Sequence, residues 1–146
     1  MHRKNVAVIL ARMGSTRLPG KVLKDMAGLP MLAHLINRVK PSKKLDNIVV
    51  ATTINSEDDS IEKLCDALSI GCFRGDPEDV LKRLHDAAKS EEATDIITLL
   101  GDNPLLHHDL VDAVVAEYEK KEKDYCTNYS KTVMLDGDLV DWGKFP

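Results

Sequence analysis

The sequence predicts an α/β domain on a mostly parallel sheet, and two features carry that prediction. Short, continuous apolar runs recur along the chain, as strands covered on both faces require, and segments with a helical apolar period stand between them. The resulting β-α-β-α order implies a doubly wound sheet with right-handed crossovers. With 146 residues, 43% of them apolar and 30% charged, the chain is read as a single domain over residues 1–146 with a core of its own.

Val6 to Leu10 is the first strand-like run; Ile48 to Ala51 and Ile96 to Leu100 are the next two. Gly71 to Arg74 forms a short extra strand. Between them lie four helical stripes. Met31, Leu32, Leu35, Ile36 and Val39 make the first, and Ile61, Leu64, Cys65 and Leu68 the second. Val80, Leu81, Leu84, Ala87 and Ala88 make the third; Leu110, Val111, Val114, Val115 and Tyr118 make the fourth. Asp76 is placed to cap the third helix with Pro77 at its first position, where the missing N–H costs nothing, and Ser56 is placed to cap the second. Cys65 belongs to an apolar stripe and is assigned to the core.

The formal charge of −4, from 20 basic and 24 acidic residues, argues against a general nucleic-acid binder. Three cysteines without a CxxC pair indicate neither a disulfide framework nor a zinc site and suit a reducing cytoplasm. The apolar run Val6 to Ala11 is too short for a signal peptide or a membrane span, so the expectation is an untargeted cytoplasmic protein with no membrane partner.

In parallel α/β sheets ligands collect beyond the carboxyl ends of the strands. The loop there, Leu10 to Lys21, brings together Gly14, Gly20, Ser15, Thr16, Arg12, Arg17 and Lys21. Glycines let backbone N–H groups approach phosphate oxygens, and the cations supply charge-assisted hydrogen bonds, so the loop is read as a polyphosphate site. The alternative is a solvated basic loop whose glycines only serve turns. A Walker A loop is rejected: five residues separate Gly14 from Gly20, Val22 follows Lys21 where a hydroxyl is needed, and Gly28 and Pro30 prevent a long helix from starting there. Asp102 directly follows the third apolar run, in Gly101-Asp102-Asn103-Pro104. This is either a carboxylate for Mg²⁺ or a plain turn. His107 and His108 are adjacent, a spacing that favours solvated side chains over metal ligands, and His34 and His85 receive no role.

The run ILARMGSTRLPGKVL, then AGLPML, IVVATT (Ile48 to Thr53), RGDPEDVLKR (Arg74 to Arg83) and LLGDNPLL (Leu99 to Leu106), resembles the cytidylyltransferases that make CMP-activated acidic sugars. The likeness is strongest to the branch of spore-coat polysaccharide biosynthesis protein F, and it covers about Val6 to Asn128. It implies a three-layer, Rossmann-like nucleotidyltransferase fold and an enzyme that uses CTP and Mg²⁺ to activate an acidic sugar, releasing pyrophosphate, for surface polysaccharide biosynthesis.

Carried over residue by residue, the resemblance gives Arg12 and Lys21 catalytic roles on the triphosphate, where positive charge meets negative charge that grows in the transition state. Arg17 and the backbone of Gly14 and Ser15 complete the cradle, although Arg17 fits an ion-pair anchor of the loop equally well. Leu10, Ala11, Thr52 and Thr53 stand at strand ends beside the nucleotide, Asp79 lies in a block near the base, and Asp102 takes the metal. The blander reading of Thr52, Thr53 and Asp79 is a strand end and a favourable helix N-terminus.

Guanylyl and thymidylyl relatives carry Gly-Gly or Gly-x-Gly where this chain has Arg12-Met13-Gly14, which weighs against those nucleotides. The family continues past this length into segments that bind the sugar and make a homodimer contact. Residues 124–146 are read as the start of that region, and the chain stops before the rest of it. Asp136-Gly137 fits the family's next turn, whereas Asp138-Leu139-Val140-Asp141-Trp142 departs from its pattern and reads as an acidic tail. The alternative to an enzyme is a non-catalytic nucleotide-binding module.

Overall fold

A computed structural model describes residues 3–120 and 124–128. Its elements run β1 (Asn5–Leu10), β2 (Asp25–Met26), β3 (Leu29–Pro30), α1 (Met31–Val39), β4 (Asn47–Thr53), α2 (Asp59–Ala67), β5 (Gly71–Gly75), α3 (Val80–Ser90), β6 (Asp95–Leu100) and α4 (His108–Lys120). The four long strands pair in parallel in the order β5-β4-β1-β6. The first strand of the sequence is therefore central, flanked by β4 on one side and β6 on the other.

β1 shows why its sequence reads as unbroken apolar residues: Val6, Ala7, Val8 and Ile9 are all 0% exposed because both faces of the sheet are covered. Ala7 and Ile9 face the larger core with α1, α2 and α4, through Leu32, Leu35, Ile36, Ile61, Cys65, Val111 and Val115. Val6 and Val8 face a smaller core with Val49, Ala51 and the α3 residues Ala87 and Ala88. These are the three expected layers. Each of these larger side chains contributes about 1.5–3 kcal/mol on burial, so the centre of the sheet is the stable platform beneath the strand ends.

Four local expectations change. The third helix starts at Val80, not after Asp76: Asp79 is its N-cap, its carboxylate accepting from the Lys82 N–H at 2.8 Å. Asp76 instead accepts from the N–H groups of Glu78 and Asp79, closing a turn before the helix. Ser56 does not cap α2 but opens a 3₁₀ turn, Ser56–Asp58, that leads into it. The third apolar run is covered on one face only. β6 is an edge of the described sheet, and Ile96 and Leu100, in register with Val6 and Leu10 on the α3 face, are 45% and 60% exposed because α3 packs over β5, β4 and β1.

The region interrupted by Gly28 and Pro30 forms a small antiparallel hairpin, β2 with β3, after a 3₁₀ turn at Lys21–Leu23. The ring Nε2 of His34 bonds the carbonyl of Met26 at 2.5 Å, which fixes this hairpin to α1. No described helix is long and apolar enough to cross a membrane.

Candidate functional site

The strand ends of β1 and β6 diverge into the loop Ala11–Gly20 and the turn Gly101–Asp102, and between them lies an open cavity of about 310 Å³. Leu10, Ala11, Arg12, Gly14, Ser15, Arg17, Lys21 and Asp102 all line it. Eight of the residues chosen from sequence are thus gathered in one place.

The loop has a built frame. Met13 is its hub: its carbonyl accepts from the N–H groups of Ser15 (2.8 Å) and Gly20 (2.9 Å), and its own N–H donates to Asp58 Oδ1 at 2.7 Å. Asp58 is 0% exposed, and its other oxygen accepts from the N–H of Thr53 at 3.1 Å and from the Thr53 hydroxyl. A buried carboxylate satisfied by three donors is a rigid peg, because each donor would be left unpaired in the interior without it. The Ser15 N–H is thereby engaged within the loop itself. Neither Met13 nor Asp58 was expected. Asp58 follows β4 by five residues, and the one signal for it was an acid near a strand's carboxyl end.

Gly101 shows how tightly the two lips of the cleft meet. A Cβ there would stand 2.9 Å from the carbonyl of Leu10 and 2.9 Å from Ala11 Cβ, so only glycine allows this approach. The Gly101 N–H donates to Leu10 O at 2.9 Å and extends the β1–β6 pairing to the rim. Asp102, carried just beyond, meets Lys21 Nζ at 2.6 Å. This pairing with Lys21 holds the Asp102 carboxyl below the ordinary aspartate range.

Arg12 and Arg17 line the same cavity with exposed side chains, and neither has an ion-pair partner among the described residues. The anchoring ion pair considered for Arg17 is therefore not formed with any of the described residues. Among the described residues that line it, the cleft holds three cations against one carboxylate, an excess of positive charge in an acidic chain.

The remaining choices fall elsewhere. Thr52 is 0% exposed and Thr53 1%; neither lines the cavity. Thr53 is spent on Asp58, and the Thr52 hydroxyl is buried without a partner. Asp79 caps α3, as its blander reading held. Arg74, in the block expected near the base, straps β5 to the turn after β4: it donates to the carbonyls of Thr53 (2.7 Å) and Asn55 (2.8 Å) and pairs with Asp59 and Glu62.

The rings of His107 and His108 lie side by side. Their ring centroids are 4.1 Å apart, and both Nδ1 atoms face the Asp109 carboxylate, at 3.2 and 3.1 Å, away from the cavity. Asp136, Asp138 and Asp141 lie outside the described residues.

Mg²⁺ ordinarily takes one or two protein carboxylates and fills its octahedron with phosphate oxygens and water. Asp102, 45% exposed on the rim, is the one carboxylate among the described residues lining the cavity, and this donor set fits such a metal.

A mostly parallel α/β sheet of this order is the fold shared with solved nucleotidyltransferases. The chain belongs to the cytidylyltransferase family, whose profile matches residues 6–141. It is 36% identical over 138 residues to the spore coat polysaccharide biosynthesis protein SpsF of Bacillus subtilis, an alignment covering 92% of this chain and 58% of that protein.

Among solved structures, a cytidylyltransferase from Leptospira borgpetersenii superposes with a TM-score of 0.79 at 36% identity, over 83% of this chain and 51% of that one. A CMP:2-keto-3-deoxy-manno-octonic acid synthetase complexed with CTP superposes with a TM-score of 0.72 at 32% identity, over 80% and 48%. The chain spans about half the length of the curated relatives it matches.

Proposed function

We propose that this chain binds the triphosphate of CTP in the cleft between the β1 loop and Asp102, and serves a cytidylyl transfer to an acidic sugar for surface polysaccharide biosynthesis. The observation that carries the reading is the gathering of Arg12, Arg17 and Lys21 around one carboxylate, Asp102, at the end of the central strand. CTP is supported by the nucleotide in the complexed synthetase, and an acidic sugar by the octonic acid in that enzyme's name. The polysaccharide role is supported by the name of SpsF. A cytoplasmic setting accords with three free thiols.

In the reaction a sugar hydroxyl oxygen forms a bond to the α-phosphorus, the bond from that phosphorus to the bridging oxygen breaks, and pyrophosphate leaves with the electron pair. The hydroxyl proton passes to solvent. Arg12 and Lys21 face the phosphate oxygens, on which negative charge is redistributed, and stabilise the transition state more than the ground state.

Lys21 begins paired with Asp102, so an incoming triphosphate takes over the ammonium and frees the carboxylate. Asp102 would then hold Mg²⁺, which when bound supplies charge neutralisation on the leaving pyrophosphate. Seating the nucleotide and building the metal site are thereby one event.

The deciding experiment is pyrophosphate release from CTP and Mg²⁺ across a panel of acidic sugars, with GTP, UTP and dTTP as alternatives. Release with CTP and one sugar acid supports the proposal. Tight CTP binding with no release from any sugar would make this a nucleotide-binding module, and preference for another nucleotide would move it to a different transferase. The homodimer expected from the resemblance belongs to the same proposal and is read from the mass in solution.

A further inference from the structure

Among the described residues, one group brings three metal-ligating side chains together: His107, His108 and Asp109, with one ligand atom of each within 4.8 Å of the others. None of the three lines the nucleotide cleft. The Nδ1 of His107 stands 3.2 Å from Asp109 Oδ2, and the Nδ1 of His108 stands 3.1 Å from Asp109 Oδ1.

The fold explains how neighbouring residues come to face one acid. Successive side chains leave an α-helix about 100° apart, which is why adjacency in sequence speaks against a shared ligand. α4, however, begins at His108. His107 is the residue before it, its carbonyl accepting from the N–H groups of Leu110 (3.1 Å) and Val111 (3.4 Å). Standing outside the helix, its ring lies beside that of His108, with the centroids 4.1 Å apart.

Helix capping accounts for part of this arrangement. His107 Nδ1 accepts from the Asp109 N–H at 3.3 Å, and a carboxylate in the first turn of a helix is favourable. As an acceptor, that nitrogen has no proton to give the carboxylate beside it. Capping leaves His108 unexplained. Its Nδ1 is shut off from solvent and forms no hydrogen bond, although a carboxylate oxygen lies 3.1 Å away. Lone-pair nitrogens packed against a carboxylate are unfavourable by themselves and favourable around a shared cation.

The distances suit a small ion. In tetrahedral coordination with bonds of about 2.1 Å, neighbouring ligand atoms stand about 3.4 Å apart, close to the two nitrogen–oxygen separations here. Two imidazoles and a carboxylate are donors for a borderline ion such as Zn²⁺, whereas Mg²⁺ takes oxygen ligands and water. Three protein ligands leave the fourth position to water.

We propose that His107, His108 and Asp109 form a binding site for a Zn²⁺-like divalent ion at the start of α4, separate from the nucleotide cleft. The ion clasps the first turn of the helix to the end of the segment that carries Asp102. That segment is already held by Arg38, which donates to the carbonyls of Leu105 (3.2 Å) and Leu106 (3.1 Å). The site stands whether or not the cleft takes a nucleotide.

Calorimetric titration of the untagged full chain, stripped of metal by a chelator, tests it with Zn²⁺ and Mg²⁺. The variants are His108→Ala, Asp109→Asn and, as a control, His85→Ala, whose ring also lies beside an acid, Asp86. The wild type should bind Zn²⁺ at one site from which excess Mg²⁺ does not displace it. His108→Ala and Asp109→Asn should each weaken Zn²⁺ about tenfold or more, at least the loss that follows removal of a partner outside the ligand shell. His85→Ala should leave the affinity unchanged. Zn²⁺ should raise the melting temperature of the wild type by mass action and not that of His108→Ala. Co²⁺ in place of Zn²⁺ should give the visible bands of tetrahedral coordination without the near-ultraviolet band of thiolate ligation.

If His108→Ala does not fold, His107→Ala, at a ring 46% exposed, reads the same affinity. Equal affinity in the wild type, His108→Ala and Asp109→Asn places the ion elsewhere and overturns the inference, as does a thiolate band with Co²⁺. Displacement by Mg²⁺, or no saturable Zn²⁺ binding, overturns it as well and leaves the cluster as a helix cap.

Discussion

The N–H of Met13 donates to the buried carboxylate of Asp58 at 2.7 Å, tying the loop beyond β1 to a residue 45 positions later. Asp58→Ala would leave two backbone N–H groups and the Thr53 hydroxyl unpaired in the interior. The expected cost is about 3 kcal/mol or more, seen as a lower midpoint in urea. Asp58→Asn keeps the volume but swaps one acceptor for a donor, so it should be intermediate in stability and still weaken CTP. Wild-type CTP affinity in folded Asp58→Asn would show that the peg does not set the loop's geometry.

Lys21→Met separates binding from folding. Lys21 and Asp102 are 28% and 45% exposed, and such a pair is worth at most about 1 kcal/mol. Stability should barely change. Affinity for Mg-CTP should fall about tenfold or more with the loss of a charge-assisted contact. A large stability loss with undiminished affinity would reverse the assignment.

The same pair gives a pH dependence of known sign. Asp102 has a folded-state pKa below its unfolded value because Lys21 favours the carboxylate. Its small stabilising contribution is therefore present at neutral pH and lost as the pH falls from the ordinary aspartate value, about 4, through the depressed folded value. Melting curves of the wild type and Asp102→Asn should converge as acid is added. Asp102→Asn should also lose Mg²⁺-dependent CTP binding, and a variant that keeps it would free Asp102 of the metal role.

Gly101→Ala tests the close approach of the two lips. The new methyl group would meet the backbone of Leu10 and the side chain of Ala11 at 2.9 Å, and neither is the far end of a flexible chain. We expect a loss of about 1–3 kcal/mol and a displaced Asp102, measured by thermal melting and by the metal requirement for CTP binding.

The sequence disclosed the platform and the charged lining for physical reasons. A central parallel strand must be apolar at every position, so Val6 to Ile9 announce β1, and cations that line an open cleft stand out against an acidic composition. What stayed hidden depends on contacts far apart in the chain. Asp58 looks like any acid in a helix's opening stretch until Met13 is brought to it, and Arg83 looks like an exposed helix residue until Gly75 admits its stem.

Thr52 and Thr53 were placed at the right strand end, but burial decides their role and periodicity does not report it. Asp76-Pro77 carries a good start signal that a turn uses instead, with the helix beginning one turn later at the Asp79 cap.

Because β1 is the central strand, its partners come from residues 47–53 and 95–100, and the cleft is closed by bonds such as Lys21–Asp102 that span 81 positions. Contacts of such long range form only after large loops have been closed, so they are slow to appear during folding. On a ribosome, the β1 loop emerges well before Gly101 and Asp102 and must wait for them before it has a second lip. A segment made well before its partners is thus among the last to acquire its working shape, and until then β1 is an exposed apolar ribbon that needs protection from aggregation.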